Sequence, residues 1–165
     1  MSKSIILSDQ EIQHKIRRIA FQIYESNSKN KELILAGICE NGYVLAQQLK
    51  QVLDEVSELK TQLCEVHIDK QEPLKGVQTS LAVSAYKNKS LVLVDDVLNS
   101  GTTLMYAIKH FLEVPLKQFK TAVLVNRNHK KYPVKADFKG ISLSTSLQEH
   151  VTVEFNKKEA IAFLS

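Results

Sequence analysis

Apolar positions near the start of the chain recur at helical spacing. Ile12, Ile16, Ile19, Ala20 and Ile23 share one face, with Gln13, Lys15, Arg17, Gln22 and Glu25 opposite them. That period predicts an amphipathic helix. Ser8 followed by Glu11 forms a capping-box pair at its start, and it ends near Asn27. Residues 33–38 are apolar without a break, as in a strand buried on both faces. After the turn Glu40-Asn41-Gly42, the helical period returns in Val44, Leu45, Leu49, Val52, Leu53 and Val56.

Residues 63–68 alternate and read as a strand with one wetter face. Residues 69–79 are polar, contain Pro73 and Gly76, and read as a loop. Residues 81–86 read as a short strand, and 91–94 as the central strand of the fold. A third helix begins near Ser100 or Gly101, carries Leu104, Ala107, Ile108, Phe111 and Leu112 on one face, and stops before Pro115. Residues 121–125 form another buried strand, 126–136 a basic loop, and 138–143 and 151–155 the last two strands. Helices alternating with continuous apolar strands predict an α/β fold with a mostly parallel central sheet covered by helices on both faces. Ligands of such sheets bind beyond the carboxyl ends of the strands. The stretches after Ile38, Val94 and Val125 are therefore the places to look for chemistry.

A chain of 165 residues suits one domain, here residues 1–165. No apolar run approaches the roughly 20 residues of a membrane span. Residues 1–7 hold one Lys and a short apolar patch but no small-residue cleavage site, so they read as part of the fold. Cys39 and Cys64 lack metal-ligand spacing and read as reduced, small core residues of a cytoplasmic protein. A net charge of +4 suits anionic ligands without selecting nucleic acid.

The distinctive chemistry follows the central strand. Asp95 and Asp96 put two carboxylates at its end. Ionised carboxylates only accept hydrogen bonds, so the pair suits a vicinal diol or a cation. Four residues on, Ser100-Gly101-Thr102-Thr103 opens a helix. Unpaired N–H groups and the helix dipole make that start a phosphate site. Gly101 permits close backbone approach, and the hydroxyls of Ser100, Thr102 and Thr103 add donors. A diol site beside a phosphate site matches a ribose 5-phosphate. Acidic pairs at strand ends also occur in receiver domains and magnesium-dependent hydrolases. A receiver needs its phosphoacceptor Asp at another strand end, where this chain has Cys39 and Asn126. The Walker and dinucleotide glycine patterns are both absent.

The run Val92-Leu93-Val94-Asp95-Asp96-Val97-Leu98-Asn99-Ser100-Gly101-Thr102-Thr103 resembles the phosphoribosyl pyrophosphate (PRPP) signature of type I phosphoribosyltransferases. Four further stretches, Ser8 to Ile23, Ala36-Gly37-Ile38 with Gly42 and Leu45-Ala46, 122–129, and 136–140 running to 144–146, are similar to the bifunctional pyrimidine-operon regulators with uracil phosphoribosyltransferase activity. The resemblance implies a type I phosphoribosyltransferase-like fold. It also implies transfer of the 5-phosphoribosyl group of PRPP to a nucleobase, uracil above all, with Mg²⁺ carried on the diphosphate. Asp95 and Asp96 would hold the ribose hydroxyls, and Val97, Asn99, Ser100, Gly101, Thr102 and Thr103 the 5-phosphate and its surroundings. Cys39, Glu40, Asn41 and Gly42 would form the pyrophosphate turn, and Arg127 would face the pyrophosphate side as a third catalytic group. The base would sit near Val97 and the segment after Phe138. PRPP, a nucleobase or nucleoside monophosphate, a second copy of the chain in a dimer, and RNA are the partners implied.

Two departures stand out. Glu40 and Asn41 occupy the turn where the similar proteins carry a basic residue before the Gly. The lid carries His67-Ile68-Asp69-Lys70 in place of a Tyr-Arg-Asp-Asp-like stretch, with Lys70 and Lys75 as its cations. They open an alternative function: a PRPP- or nucleotide-sensing regulator of pyrimidine metabolism with little or no turnover.

Overall fold

The computed structural model describes residues 3–146 and 148–165. The first two residues of the 1–7 segment lie outside that description; Ser4–Leu7 forms β1. Helix α1 spans Asp9–Ser26. Its capping box is formed: Ser8 Oγ accepts from the Glu11 amide at 3.3 Å, and Glu11 Oε1 accepts from the Ser8 amide at 3.2 Å.

Strands β2 (Glu32–Ile38), β3 (Lys60–Ile68), β4 (Val77–Thr79), β5 (Ser90–Leu98), β6 (Gln118–Arg127) and β7 (Phe138–Leu143) build a six-stranded sheet in the order β4-β3-β2-β5-β6-β7. Only β4 runs antiparallel to its neighbour. Helix α2 (Asn41–Val56) lies with α1 on one face. The short α3 (Val83–Tyr86) and α4 (Thr102–Phe111) cover the other. The period of two is plain along β5: Val92 and Val94 enter the core under α1 and α2, Leu91 and Leu93 the core under α3 and α4. Covering both faces is why these strands read as unbroken apolar runs.

Strands β8 (Val151–Phe155) and β9 (Ala160–Leu164) join β1 in a small antiparallel sheet, ordered β1-β9-β8. Val153, Ala160 and Ala162 of this sheet share the core of α1 and α2.

Several sequence-based expectations change. Residues 81–86 end in α3 rather than a strand, and the helical turn carries Tyr86 into the core beside α4. Tyr86 is instead buried edge-on to Phe111, ring centroids 5.1 Å apart. The 69–79 loop contains a one-turn 3-10 helix, Pro73–Lys75, and then β4. β5 runs four residues past Val94, so Asp95 and Asp96 lie within the strand. β1 and β9 were not expected as strands.

One close approach fixes where α2 begins. A Cβ on Gly42 would lie 2.6 Å from the Val94 carbonyl oxygen and 3.0 Å from the Asp95 Cα. The first turn of α2 therefore rests on β5 with no side chain between them. We expect Gly42→Ala to push the helix off the strand and to lower unfolding free energy by about 1–3 kcal/mol. Urea unfolding checks this, and a midpoint equal to that of the unmutated chain refutes it.

Candidate active site

The carboxyl ends of the parallel strands open into a cleft of about 360 Å³. Its walls are Asn41, Lys70, the run from Asp95 to Leu104, and Val151, Thr152 and Val153 of β8. Thus Asp95, Asp96, Val97, Asn99, Ser100, Gly101, Thr102 and Thr103, all expected from the sequence, are brought together here.

Asp95 is buried, only 3% exposed. Its Oδ1 accepts from the Asp96 amide at 2.9 Å, and Asp96 Oδ1 accepts from the Val97 amide at 2.9 Å. Asp96 Oδ2 accepts from Asn41 Nδ2 at 3.0 Å. Burial, and then the neighbouring Asp96 charge, push the Asp95 carboxyl well above the ordinary carboxylate range. Lys70, with Nζ 4.0 Å from Asp95 Oδ1, pulls the other way.

The helix start is shaped by Gly101, which has φ +87°. That left-handed conformation favours glycine, and a Cβ there would lie 2.4 Å from Val134 Cγ1. The loop behind it is tied in place because the Lys131 and Tyr132 amides donate to the Ser100 carbonyl at 2.8 and 3.0 Å. Ser100 Oγ and Thr102 Oγ1 lie 2.8 Å apart. Among the described residues, the amides of Ser100, Gly101 and Thr103 have no acceptor. These are the donors a phosphate requires.

The turn expected to hold pyrophosphate, Cys39 to Gly42, is divided. Asn41 lines the cleft and its Nδ2 also donates to the Val153 carbonyl at 2.8 Å. Gly42 is buried beneath Asp95. Cys39 and Glu40, joined by a cis peptide bond, face a neighbouring depression with His67, Asp69, Lys75 and Gln78. Burial raises the Cys39 thiol above its ordinary range, consistent with an inert thiol.

Arg127 does not line the cleft. Its guanidinium donates to Thr145 Oγ1 at 2.6 and 3.0 Å, to Asn99 Oδ1 at 3.1 Å, and to the Ser146 and Glu149 carbonyls at 3.2 and 2.6 Å. In place of the expected pyrophosphate-facing group, it is a buried tie between the loop before α4 and the segment after β7. The wall supplied by Val151, Thr152 and Val153 was not expected either. No periodicity marks it, since only the pairing of β8 with β9 carries it to the cleft.

The raised Asp95 pKa has a consequence for stability. The folded chain holds that proton more tightly than the unfolded chain. Its contribution is therefore present below about pH 4, the unfolded range, and is lost as pH rises through the folded value. We expect Asp95→Asn to flatten this decline and to melt a few degrees above the unmutated chain at neutral pH, while losing ribose-phosphate binding. Ligand-free thermal melts from acid to neutral pH check this; parallel profiles for the two proteins refute it.

The chain matches the phosphoribosyl transferase domain family over residues 2–157. A protein named bifunctional protein PyrR from Alkaliphilus metalliredigens (strain QYMF) is 34% identical over 173 residues, covering 98% of this chain and 95% of that one. Its namesake from Macrococcus caseolyticus (strain JCSC5402) is 32% identical over 160 residues, covering 93% and 92%. The hypoxanthine phosphoribosyltransferase of Trypanosoma cruzi, solved as a ternary substrates complex, superposes with a TM-score of 0.80 at 16% identity, covering 98% of this chain and 95% of that one. A hypoxanthine-guanine phosphoribosyltransferase from Bacillus anthracis gives a TM-score of 0.73 at 18% identity, covering 87% and 84%. Those two structures share the fold. With the acidic pair and the open helix start in one cleft, and with relatives matched along nearly the whole chain, this protein belongs to the type I phosphoribosyltransferase family.

Proposed function

We propose that the chain is a pentosyltransferase that moves the 5-phosphoribosyl group of PRPP onto a nucleobase nitrogen, uracil first, and releases pyrophosphate. The observation that carries this reading is the shared cleft of Asp95, Asp96 and the unpartnered amides at the start of α4. The carboxylates accept from the two ribose hydroxyls. The amides of Ser100, Gly101 and Thr103 and the hydroxyls of Ser100, Thr102 and Thr103 donate to the 5-phosphate. The sugar is thereby held at both ends with its reacting carbon between the lid and β8.

In the reaction, the bond from that carbon to the diphosphate oxygen breaks with its electron pair going to the leaving pyrophosphate, a carbon–nitrogen bond to the base forms, and the proton of that nitrogen passes to the pyrophosphate or to solvent. Positive charge develops on the ribose ring, and the Asp95–Asp96 pair beside it stabilises that charge. The edge strand β8, through Val151 and Thr152, walls the side on which the base would lie. The lid, residues 69–79, would exclude water, which competes for PRPP.

A magnesium ion on the diphosphate supplies charge neutralisation when bound. The donor set fits that arrangement: the cleft offers the carboxylates of Asp95 and Asp96, the oxygen donors a hard cation or its water ligands would take. Magnesium keeps waters and substrate phosphate oxygens as ligands in such sites.

The Cys39–Gly42 turn favours a second reading, a nucleotide-sensing regulator. The turn has no cation, Glu40 is exposed, and Asn41 is tied to Asp96 and Val153. In that role the same cleft would bind a nucleoside monophosphate, with RNA or a second copy of the chain as the recipient of the signal. No helix is long and apolar enough to cross a membrane among the described residues.

Pyrophosphate release from PRPP, Mg²⁺ and uracil is the direct test. We expect turnover, and a fall of about 100-fold or more in kcat/KM for Asp95→Asn combined with Asp96→Asn. No release with uracil or any purine removes the enzyme. Tight uridine monophosphate binding without turnover, measured by calorimetry, establishes the regulator instead.

A further inference from the structure

We propose that Lys70 is the diphosphate-binding cation of this cleft, held on the acidic pair until PRPP arrives. The inference rests on the PRPP reading above and assigns a role that the pyrophosphate turn cannot fill.

The charge inventory leads to it. PRPP brings two anionic groups, a 5-phosphate and a diphosphate. The amides and hydroxyls at the start of α4 provide for the first. Nothing cationic in the Cys39-Glu40-Asn41-Gly42 turn provides for the second. Both Asn41 side-chain N–H groups are already donated, to Asp96 and to Val153. Arg127 donates to Asn99, Thr145, Ser146 and Glu149, and its guanidinium is buried outside the cleft. Lys75 faces the neighbouring depression and is paired with Glu72 at 2.7 Å and Asp69 at 3.6 Å.

Lys70 is the only cationic side chain among the described residues that lines the cleft. It stands just past the end of β3, at the root of the lid. Its Nζ is 4.0 Å from Asp95 Oδ1, longer than a direct hydrogen bond, and its side chain is half-exposed. The ammonium is thus attracted to the carboxylates without being locked to them.

The chemistry of the sugar completes the argument. The diphosphate leaves from the carbon next to the diol, so a cation at the diol-binding carboxylates stands beside the leaving group. When the ribose hydroxyls take over Asp95 and Asp96, they displace Lys70 from its partner. The flexible lysine stem then carries the charge onto the diphosphate. A nucleoside monophosphate displaces Lys70 equally but offers it no new partner.

Calorimetry of the full chain with Mg²⁺-pyrophosphate, Mg²⁺-PRPP and uridine monophosphate tests this. We expect Lys70→Ala to weaken pyrophosphate and PRPP by about 10- to 100-fold. Uridine monophosphate should stay within about twofold, the scale of an exposed ion pair, and thereby also report an intact fold. Lys70→Arg should restore most of the loss, and Lys75→Ala should bind all three ligands like the unmutated chain. In turnover, Lys70→Ala should raise the KM for PRPP more than it lowers kcat. Unchanged pyrophosphate and PRPP affinity in Lys70→Ala, equal losses for all three ligands, or a diphosphate-specific loss in Lys75→Ala instead, each overturns the assignment while leaving the PRPP reading intact. If the unmutated chain binds none of the three, the PRPP reading fails and the Lys70 assignment falls with it.

Discussion

Two carboxylates held side by side at the end of a buried strand are the constraint around which this molecule is arranged. Asp95 is almost sealed from solvent, and its nearest anionic neighbour is Asp96. Such a pair is unfavourable unless something donates to it. The fold supplies only part of the answer: the backbone amides of Asp96 and Val97, the Asn41 amide group, and a distant ammonium from Lys70. The rest of the hydrogen-bonding capacity is left facing the cleft. An unsatisfied acceptor pair beside an unsatisfied donor set, the first-turn amides of α4, is a template for a ligand with a diol at one end and an anion at the other.

The scaffold keeps those two sets apart by a fixed distance. β5 holds the acids, its continuation turns at Gly101, and α4 starts at once. Loop residues 131–134 brace the turn from behind through the Ser100 carbonyl and the Val134 methyl. Arg127 extends the brace. By binding Asn99 together with Thr145, Ser146 and Glu149, it couples the loop before α4 to the segment that leads into β8. An arginine with that many protein acceptors has little left to offer a ligand, so its place at the end of β6 serves positioning.

How much of this was legible depended on whether the information is local. The acid pair and the phosphate loop occupy nine consecutive residues, so one stretch of sequence contains both chemistry and geometry. The buried strands announced themselves because both sheet faces are covered. By contrast, β1 and β9 are defined by pairing between opposite ends of the chain, Ser4 with Leu164 and Ile5 with Phe163, and no local period records that partnership. Leu81, Val83 and Ala85 alternate like a strand, yet Val83–Tyr86 is a short helix, with Val83 45% exposed and Tyr86 buried against Phe111. Arg127 shows the sharpest limit. Its charge is visible in sequence, but its acceptors lie 28 residues earlier, at Asn99, and 18 to 22 residues further on, in a segment whose path the sequence does not disclose.

The division between rigid and movable parts follows from the chemistry each must perform. A phosphate and a diol are present in substrate and product alike, so groups that recognise them can be built into backbone and buried strand. The diphosphate is bound in one state and released in the other, so a fixed cationic cradle would resist its departure. Placing Lys70, the only cation lining the cleft among the described residues, on a flexible stem at the root of the lid, with Asp95 as its alternative partner, would make release reversible in the proposed role: the carboxylate would recapture the ammonium as the product leaves. A turn reading Glu40-Asn41, neutral or negative rather than basic, is then consistent with the remainder of the site, because the charge it lacks is carried by a side chain able to move away.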